Sequence, residues 1–415
     1  MDFEKRRIPG LRSAIFLLLL LFIVVSGCMD SEAFNPPDRV KIGVLYPLTG
    51  DSAGFGRDCV NGTLLAIWEI NEEGGIKALR GAEFEVVMGD TRGTHEAGVV
   101  ETERLISQEG VCAIIGVYAS SVTIPATEVS ERLKTPFLVN PGIADVITER
   151  GFRYLFRIMP KAEYYGQNQV RFLQDLHNRT ATPVQRVALL HENSGFGTAA
   201  VFGQRAALIR AGLEPVIEVP YDAAQVTDMR EEISRILSAD PDIILATTYL
   251  RDSILIRREL VRIGSAIPFI DTAGGTVTSR YIDELGPLAE GTLTLSEYSI
   301  HTPEGKSLND RYYARFQSNI TGDSAYSYQA VMVLRDALER AGSADREKVR
   351  DALAATNMTR EEHMVLPGEG IRFDESGQNV YTQLIMAQIQ GRRLVPVWPE
   401  EYAAAPVCQP FTPSG

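Results

Sequence analysis

The sequence predicts an α/β protein made of two similar lobes, each with a parallel sheet covered on both faces by helices. Short β-branched runs alternate with amphipathic stretches, and the alternation runs once to about residue 139 and restarts at residue 186. Strands separated by helices of roughly 10–15 residues make right-handed βαβ units, which place helices on both faces of a parallel sheet. In order, Val40 to Leu45 is a strand, followed by a loop containing Gly50, Gly54 and Gly56. A helix runs from about Arg57 to Asn71, with Val60, Leu64, Ile67 and Trp68 at helical spacing, and Gly74-Gly75 ends it. Strand 84–88, helix 95–108, strand 111–115, helix 121–133 and strand 136–139 complete the first series. The second reads strand 186–190, helix 197–210, strand 216–219, helix 226–238, strand 242–246, helix 251–263 and strand 268–270.

The N-terminus predicts export. Lys5, Arg6, Arg7 and Arg12 precede an unbroken apolar run from Ala14 to Val25, and Ser26-Gly27-Cys28 follows. A basic start, a short apolar region and small residues form a secretory signal, and the run falls short of the ~20 residues that span a bilayer. Val25-Ser26-Gly27-Cys28 resembles a bacterial lipobox, which implies cleavage before Cys28 and acylation of that cysteine. Residues 1–27 are then a signal peptide, and 28–38, with Asn35-Pro36-Pro37, a tether. An uncleaved anchor helix is the alternative, and either places the globular part outside the cytoplasm.

Composition fits a globular protein that handles a ligand. Removing residues 1–27 leaves about 390, more than one hydrophobic core usually serves, so two lobes are expected. The net charge is −13 with no basic cluster, which argues against a nucleic-acid partner. Cys59, Cys112 and Cys408 show no CxxC spacing and the 5 histidines are scattered, so no metal or cofactor is expected. An oxidising compartment permits a Cys59–Cys112 bridge, and two separate buried thiols are the alternative.

In parallel sheets, ligands bind beyond the carboxyl ends of the strands. The loops just after each strand span 48–56, 90–94, 117–121, 140–145, 191–197, 247–252 and 271–276. They are rich in Gly, Ser, Thr and aromatic residues and hold no evident acid–base–nucleophile set. Ile42-Gly-Val-Leu-Tyr-Pro-Leu-Thr-Gly50, Gly54-Phe-Gly56, Ala66-Ile-Trp-Glu-Ile-Asn71 and Gly74-Gly-Ile76 resemble the opening of leucine/isoleucine/valine-type periplasmic binding proteins. Ala113-Ile-Ile-Gly116 with Ser120-Ser121, Pro141 through Leu155-Phe-Arg157, Ala289-Glu-Gly291, Ile371-Arg-Phe-Asp374 and Val397-Trp-Pro399 continue the resemblance in order. It covers roughly residues 39–400, nearly the whole mature chain.

The resemblance implies a type I binding-protein fold: two Rossmann-like lobes joined by three crossings, with a ligand cleft between them that closes about a hinge. Lobe I would comprise 39–160 and 299–380, lobe II 161–298 and 381–400, with 401–415 a C-terminal tail. It also implies a monomeric capture subunit of an ABC importer that delivers a small ligand to permease subunits. Ser120 and Ser121 fall where the family grips a ligand carboxylate at a helix N-terminus, a place whose free N–H groups favour an anion; plain helix capping is the alternative. Phe55, Phe196 and Tyr249 stand where cleft aromatics belong, and Tyr326 is a looser candidate.

At two positions the sequence departs from the family's amino-acid binders. Their Pro-Ala-Ala-Thr segment reads Pro141-Gly-Ile-Ala144-Asp145 here, so the hydroxyl is lost, Gly142 offers only backbone groups, and Asp145 is either a donor grip or a helix cap. The acid expected for a ligand ammonium is replaced by Ala273 within Thr272-Ala-Gly-Gly-Thr276. An unpaired ammonium in a closed cleft costs several kcal/mol. Either Asp271, Asp222 or Asp252 supplies the charge, or the ligand is a carboxylate or amide rather than an ordinary α-amino acid. Two further alternatives are a sensor of the same fold that signals occupancy to a membrane partner, and, remotely, a nucleotide-dependent enzyme, from the partial dinucleotide signature Gly195-Phe-Gly197-Thr-Ala-Ala200.

Overall fold

The computed structural model describes residues 38–180, 184–359 and 364–408. Cys28, the signal segment, the tether up to Pro37 and the tail beyond Cys408 lie outside the described residues.

The first series of elements is β1 (Arg39–Tyr46), α1 (Ala53–Glu72), β2 (Glu83–Asp90), α2 (His95–Ser107), β3 (Ala113–Gly116), α3 (Ser120–Arg132), β4 (Phe137–Val139) and β5 (Leu155–Arg157). Its strands form a parallel sheet in the order β2-β1-β3-β4-β5. Next come α4 (Ala162–Thr180), β6 (Val187–Glu192), α5 (Gly195–Arg210), β7 (Pro215–Tyr221), α6 (Arg230–Ser238), β8 (Ile243–Thr247), α7 (Leu250–Arg262), β9 (Phe269–Asp271), α8 (Ser279–Leu285) and β10 (Leu293–Ser296). The chain continues through α9 (Pro303–Phe316), α10 (Gly322–Ala341), α11 (Arg346–Ala354), the short antiparallel pair β11 (Asn357–Thr359) and β12 (Gly370–Arg372), then β13 (Ile385–Gln390) and β14 (Arg393–Trp398). The second sheet runs β14-β13-β10-β9-β8-β6-β7, parallel except at the β13–β14 hairpin, which joins antiparallel to β10.

Strands β3, β6 and β8 are buried along their whole length, so their sequences open on continuous apolar runs rather than alternation, with polar residues only at the ends of β6 and β8. The strands and helices expected through residue 270 are present, with ends shifted by a few residues. The elements after 270, together with β5 and α4, lay outside the sequence pattern. Helix α10 shows one reason: Val331, Leu334, Ala337 and Leu338 and most of its other positions are buried, and a polar face appears only near its end, at Arg335, Asp336, Glu339 and Arg340. It packs on α1, where a side chain at Gly62 would stand 2.0 Å from the carbonyl oxygen of Ser324, so only glycine admits this approach.

The chain passes between the sheets three times, after β5, after β10 and before β13. Arg157 organises the first crossing. It is fully buried, and its guanidinium donates to Gln378 Oε1 at 2.6 Å, to the carbonyls of Gly142 at 3.2 Å and Ala144 at 2.7 Å, and to Thr148 Oγ1 at 2.9 Å. Gln378 donates onward to the Met159 carbonyl at 2.8 Å, and Asn379 to that of Ile158 at 3.1 Å, stitching 374–379 to the end of β5. The β13–β14 hairpin is held to α4 by Trp398 Nε1, which donates to Asp175 Oδ2 at 2.7 Å. Cys59 and Cys112 are separate buried thiols.

Lysine in place of Arg157 keeps the charge but loses the planar fork that reaches four oxygens from three segments. Arg157→Lys is expected to lower the stability to denaturant unfolding by roughly 2–4 kcal/mol, because buried acceptors are left unpaired. An unchanged unfolding midpoint would show that the fork is dispensable.

Candidate functional site

A cleft lies between the two sheets at the carboxyl ends of their strands. Phe55, Tyr118, Ala119, Ser120, Pro141, Gly142, Ile143, Met159 and Asp323 line it from the first series and α10. Tyr165, Phe196, Tyr249, Thr272, Ala273, Gly274 and Glu297 line it from α4 and the second series. It encloses about 50 Å³, room for roughly three to five water molecules or one small solute.

Aromatic rings form its walls in pairs, one on each side. Phe55 and Tyr118 stack at 5.0 Å with an interplanar angle of 19°. Phe196 and Tyr249 meet at 5.3 Å and 47°. Tyr118 has φ +110° and Ala273 φ +48°, both in the region that disfavours residues with a side chain. Such strain persists only where surrounding structure enforces it, and it collects at ligand clamps.

Ser120, buried at the N-terminus of α3, accepts a hydrogen bond from the Ala144 amide at 3.2 Å, which leaves its hydroxyl proton free to donate. The Gly142 carbonyl already accepts from Arg157 and retains one lone pair. Of the candidate residues, Phe55, Ser120, Gly142, Phe196, Tyr249 and Ala273 therefore converge on one cleft. Ser121, Ala144, Asp145 and Tyr326 are not among its lining residues. Ser121 is exposed beside Gly195; Ala144 stands behind Ser120 and holds it; Asp145 accepts from the Glu163 amide at 3.2 Å; Tyr326 is buried within α10.

None of the three acids considered for the place left by Ala273 lines the cleft. Asp271 accepts from Thr248 at 3.0 Å and Thr276 at 2.7 Å beneath it, and burial lifts its carboxyl to about 7. Asp252 caps α7 through the Tyr249 amide at 3.0 Å and accepts from the Tyr221 hydroxyl. Asp222 closes an exposed turn through the Ala224 amide at 2.9 Å. The partial dinucleotide signature is also accounted for: Glu192 accepts from the Ser194 amide at 2.6 Å and from the Gly197 amide, so the start of α5 is occupied by the chain's own carboxylate.

The acids that do face the cleft are Glu297 and Asp323, with Tyr165 donating to Glu297 Oε1. Burial pushes the Glu297 carboxyl up to about 7. Burial, then repulsion from Glu297 and Asp58, holds Asp323 well above the usual carboxylate range. Sequence reasoning missed both, along with Tyr118 and Tyr165. Glu297 immediately follows β10, so extending the strand-end rule past residue 276 would have found it. Asp323 sits in the first turn of α10 behind the cap Thr321, in a helix without a readable period.

Residues 39–393 match the family described as periplasmic binding protein. The chain belongs to the periplasmic binding protein family. Leu/Ile/Val-binding protein homolog 7 of Brucella suis is 28% identical over 407 residues, covering 94% of this chain and 99% of that protein. Homolog 8 of the same organism is 29% identical over 403 residues, covering 93% and 97%. The leucine binding protein LivK of Thermotoga maritima superposes with a TM-score of 0.76 at 23% identity, over 86% of this chain and 98% of that one. LivJ of Streptococcus pneumoniae, solved with isoleucine, gives 0.75 at 21% identity over 87% and 100%. The fold is thus that of type I periplasmic binding proteins, and the chain is a solute-binding protein rather than an enzyme. Family membership implies a location outside the cytoplasm. Among the described residues no helix is long and apolar enough to cross a membrane.

The raised carboxyl of Glu297 makes stability depend on pH. An unfolded glutamate titrates at about 4.3, so the native protein holds an extra proton between there and about 7. That group therefore removes stability as pH rises through this window, and the full cost is present above it. Glu297→Gln is expected to stabilise the ligand-free protein by roughly 1–3 kcal/mol at pH 8 and to change little at pH 4.5, read from unfolding curves at both. Equal effects at both pH values would contradict a raised native pKa.

Proposed function

We propose that this periplasmic binding protein captures a small solute in the interlobe cleft by hinge closure and hands it to the permease of an ABC importer. One observation carries the proposal: a cleft between two sheets, walled by an aromatic pair on each side and floored by Ser120 at a helix N-terminus. We take the halves that carry the two sheets as the moving lobes, with their three connections as the hinge. A carboxylate or amide oxygen of the ligand would accept from the Ser120 hydroxyl and the free amides at the start of α3. Relatives named for leucine, isoleucine and valine binding support an amino-acid-like ligand, and so does the isoleucine held by a fold neighbour.

Anchoring is part of the same proposal: Cys28 carries the lipid that keeps the protein beside its permease. Cys28→Ser is expected to move the protein from the membrane fraction to the soluble extracytoplasmic fraction. Continued sedimentation with membranes would point instead to an uncleaved N-terminal helix.

A thermal-shift screen of amino acids, small carboxylates and amides should find a compound that raises the melting temperature of the purified protein. Ser120→Ala should weaken that compound by about 1–3 kcal/mol in calorimetry. Unchanged affinity would remove Ser120 from the site.

A further inference from the structure

Charge is distributed unevenly in the cleft. Glu297 and Asp323 line it, but none of its lining residues is Lys, Arg or His. Neither acid forms a salt bridge among the described residues. Glu297 comes from the end of β10 and Asp323 from the start of α10, so two separate elements converge acids on one enclosed space. The groups facing them from packed elements are also acidic or neutral: Tyr165 from α4, Tyr326 from α10, Asp58 and Cys59 from α1, and Tyr118 after β3. Arg57 and Arg280 act on Asp58 rather than on this pair, and the Arg157 guanidinium, behind the cleft, is committed to the Gly142 and Ala144 carbonyls, Gln378 and Thr148. Two desolvated carboxylates without a cation are costly, and a cation delivered with the ligand removes that cost. Aromatic faces on both sides stabilise the same kind of group.

We propose that the cleft selects a small organic cation of net positive charge, such as a diamine or a diamino acid, with its amino groups held by Glu297 and Asp323 against the aromatic walls. This rests on the cleft being the ligand site. In the empty cleft the raised carboxyls retain protons near neutrality, so a bound ammonium displaces them and its binding strengthens as pH rises.

The test is calorimetry on the purified protein with 1,4-diaminobutane, L-ornithine, L-leucine and acetamide as probes. At least one of the two cations should bind ten-fold or more tighter than L-leucine and acetamide. Its affinity should rise several-fold from pH 5.5 to pH 7.5, and Glu297→Gln should weaken it at least ten-fold and flatten the pH dependence. Tyr249→Ala, which removes a wall but no charge, should weaken whichever probe binds. If L-leucine or acetamide binds as well as the cations and Tyr249→Ala weakens it while Glu297→Gln does not, the cation inference falls and the cleft stands. If a probe binds and both variants leave it unchanged, the cleft itself is not the site. Binding of neither cation overturns the inference outright.

Discussion

The guanidinium of Arg157 is the constraint on which the cleft depends. A fully buried charge is tolerated only when its hydrogen-bonding directions are filled, and here they are filled by neutral oxygens from distant parts of the chain. Burial lowers its pKa only to about 10, so it stays charged at neutral pH, aided by the nearby Asp145. Because its acceptors include the carbonyls of Gly142 and Ala144, the loop after β4 cannot shift without breaking the network. Ala144 in turn presents its amide to Ser120, so the start of α3 is fixed from behind by the same charge. Asp145 and Ala144 therefore act on the cleft from outside it, as supports rather than contacts.

Around this fixed floor the cleft is built from pieces with little in common locally. The loop after β3, the N-cap of α7 and the first turns of α1, α4 and α5 contribute aromatic rings. The polar residues below, Gln169, Gln204, Thr247 and Thr272, bond one another, so Thr272 reaches the cleft backed by three side-chain partners. Two carboxylates are left facing one another without a basic partner, and they give the cleft its electrostatic character.

The doubled βαβ series was legible because buried parallel strands and amphipathic helices leave periodic traces that need only local sequence. Phe55, Ser120, Gly142, Phe196, Tyr249 and Ala273 were legible as cleft residues through the family resemblance, and each lies in the loop or first helical turn after a strand, which topology sends to one end of a sheet. Ser121 and Asp145 share those loops yet face elsewhere, because neighbouring residues at a helix start point in different directions. Asp323 lies on α10, which is buried along most of its length, and Tyr165 in the first turn of α4, and no local signal marks which turn meets the cleft.

The sequence by itself determined the alternation of elements, the family resemblance and the loss of the acid at Ala273, since these are properties of residue order and type. The tertiary structure alone decided which acids line the cleft. Glu297 and Asp323 are 26 residues apart in the chain and belong to different elements, and only the return of the chain through α9 and α10 brings them to one cleft. Their character was decided there as well, because a carboxyl acquires a raised pKa from burial and from its neighbours, and neither is written in its own segment.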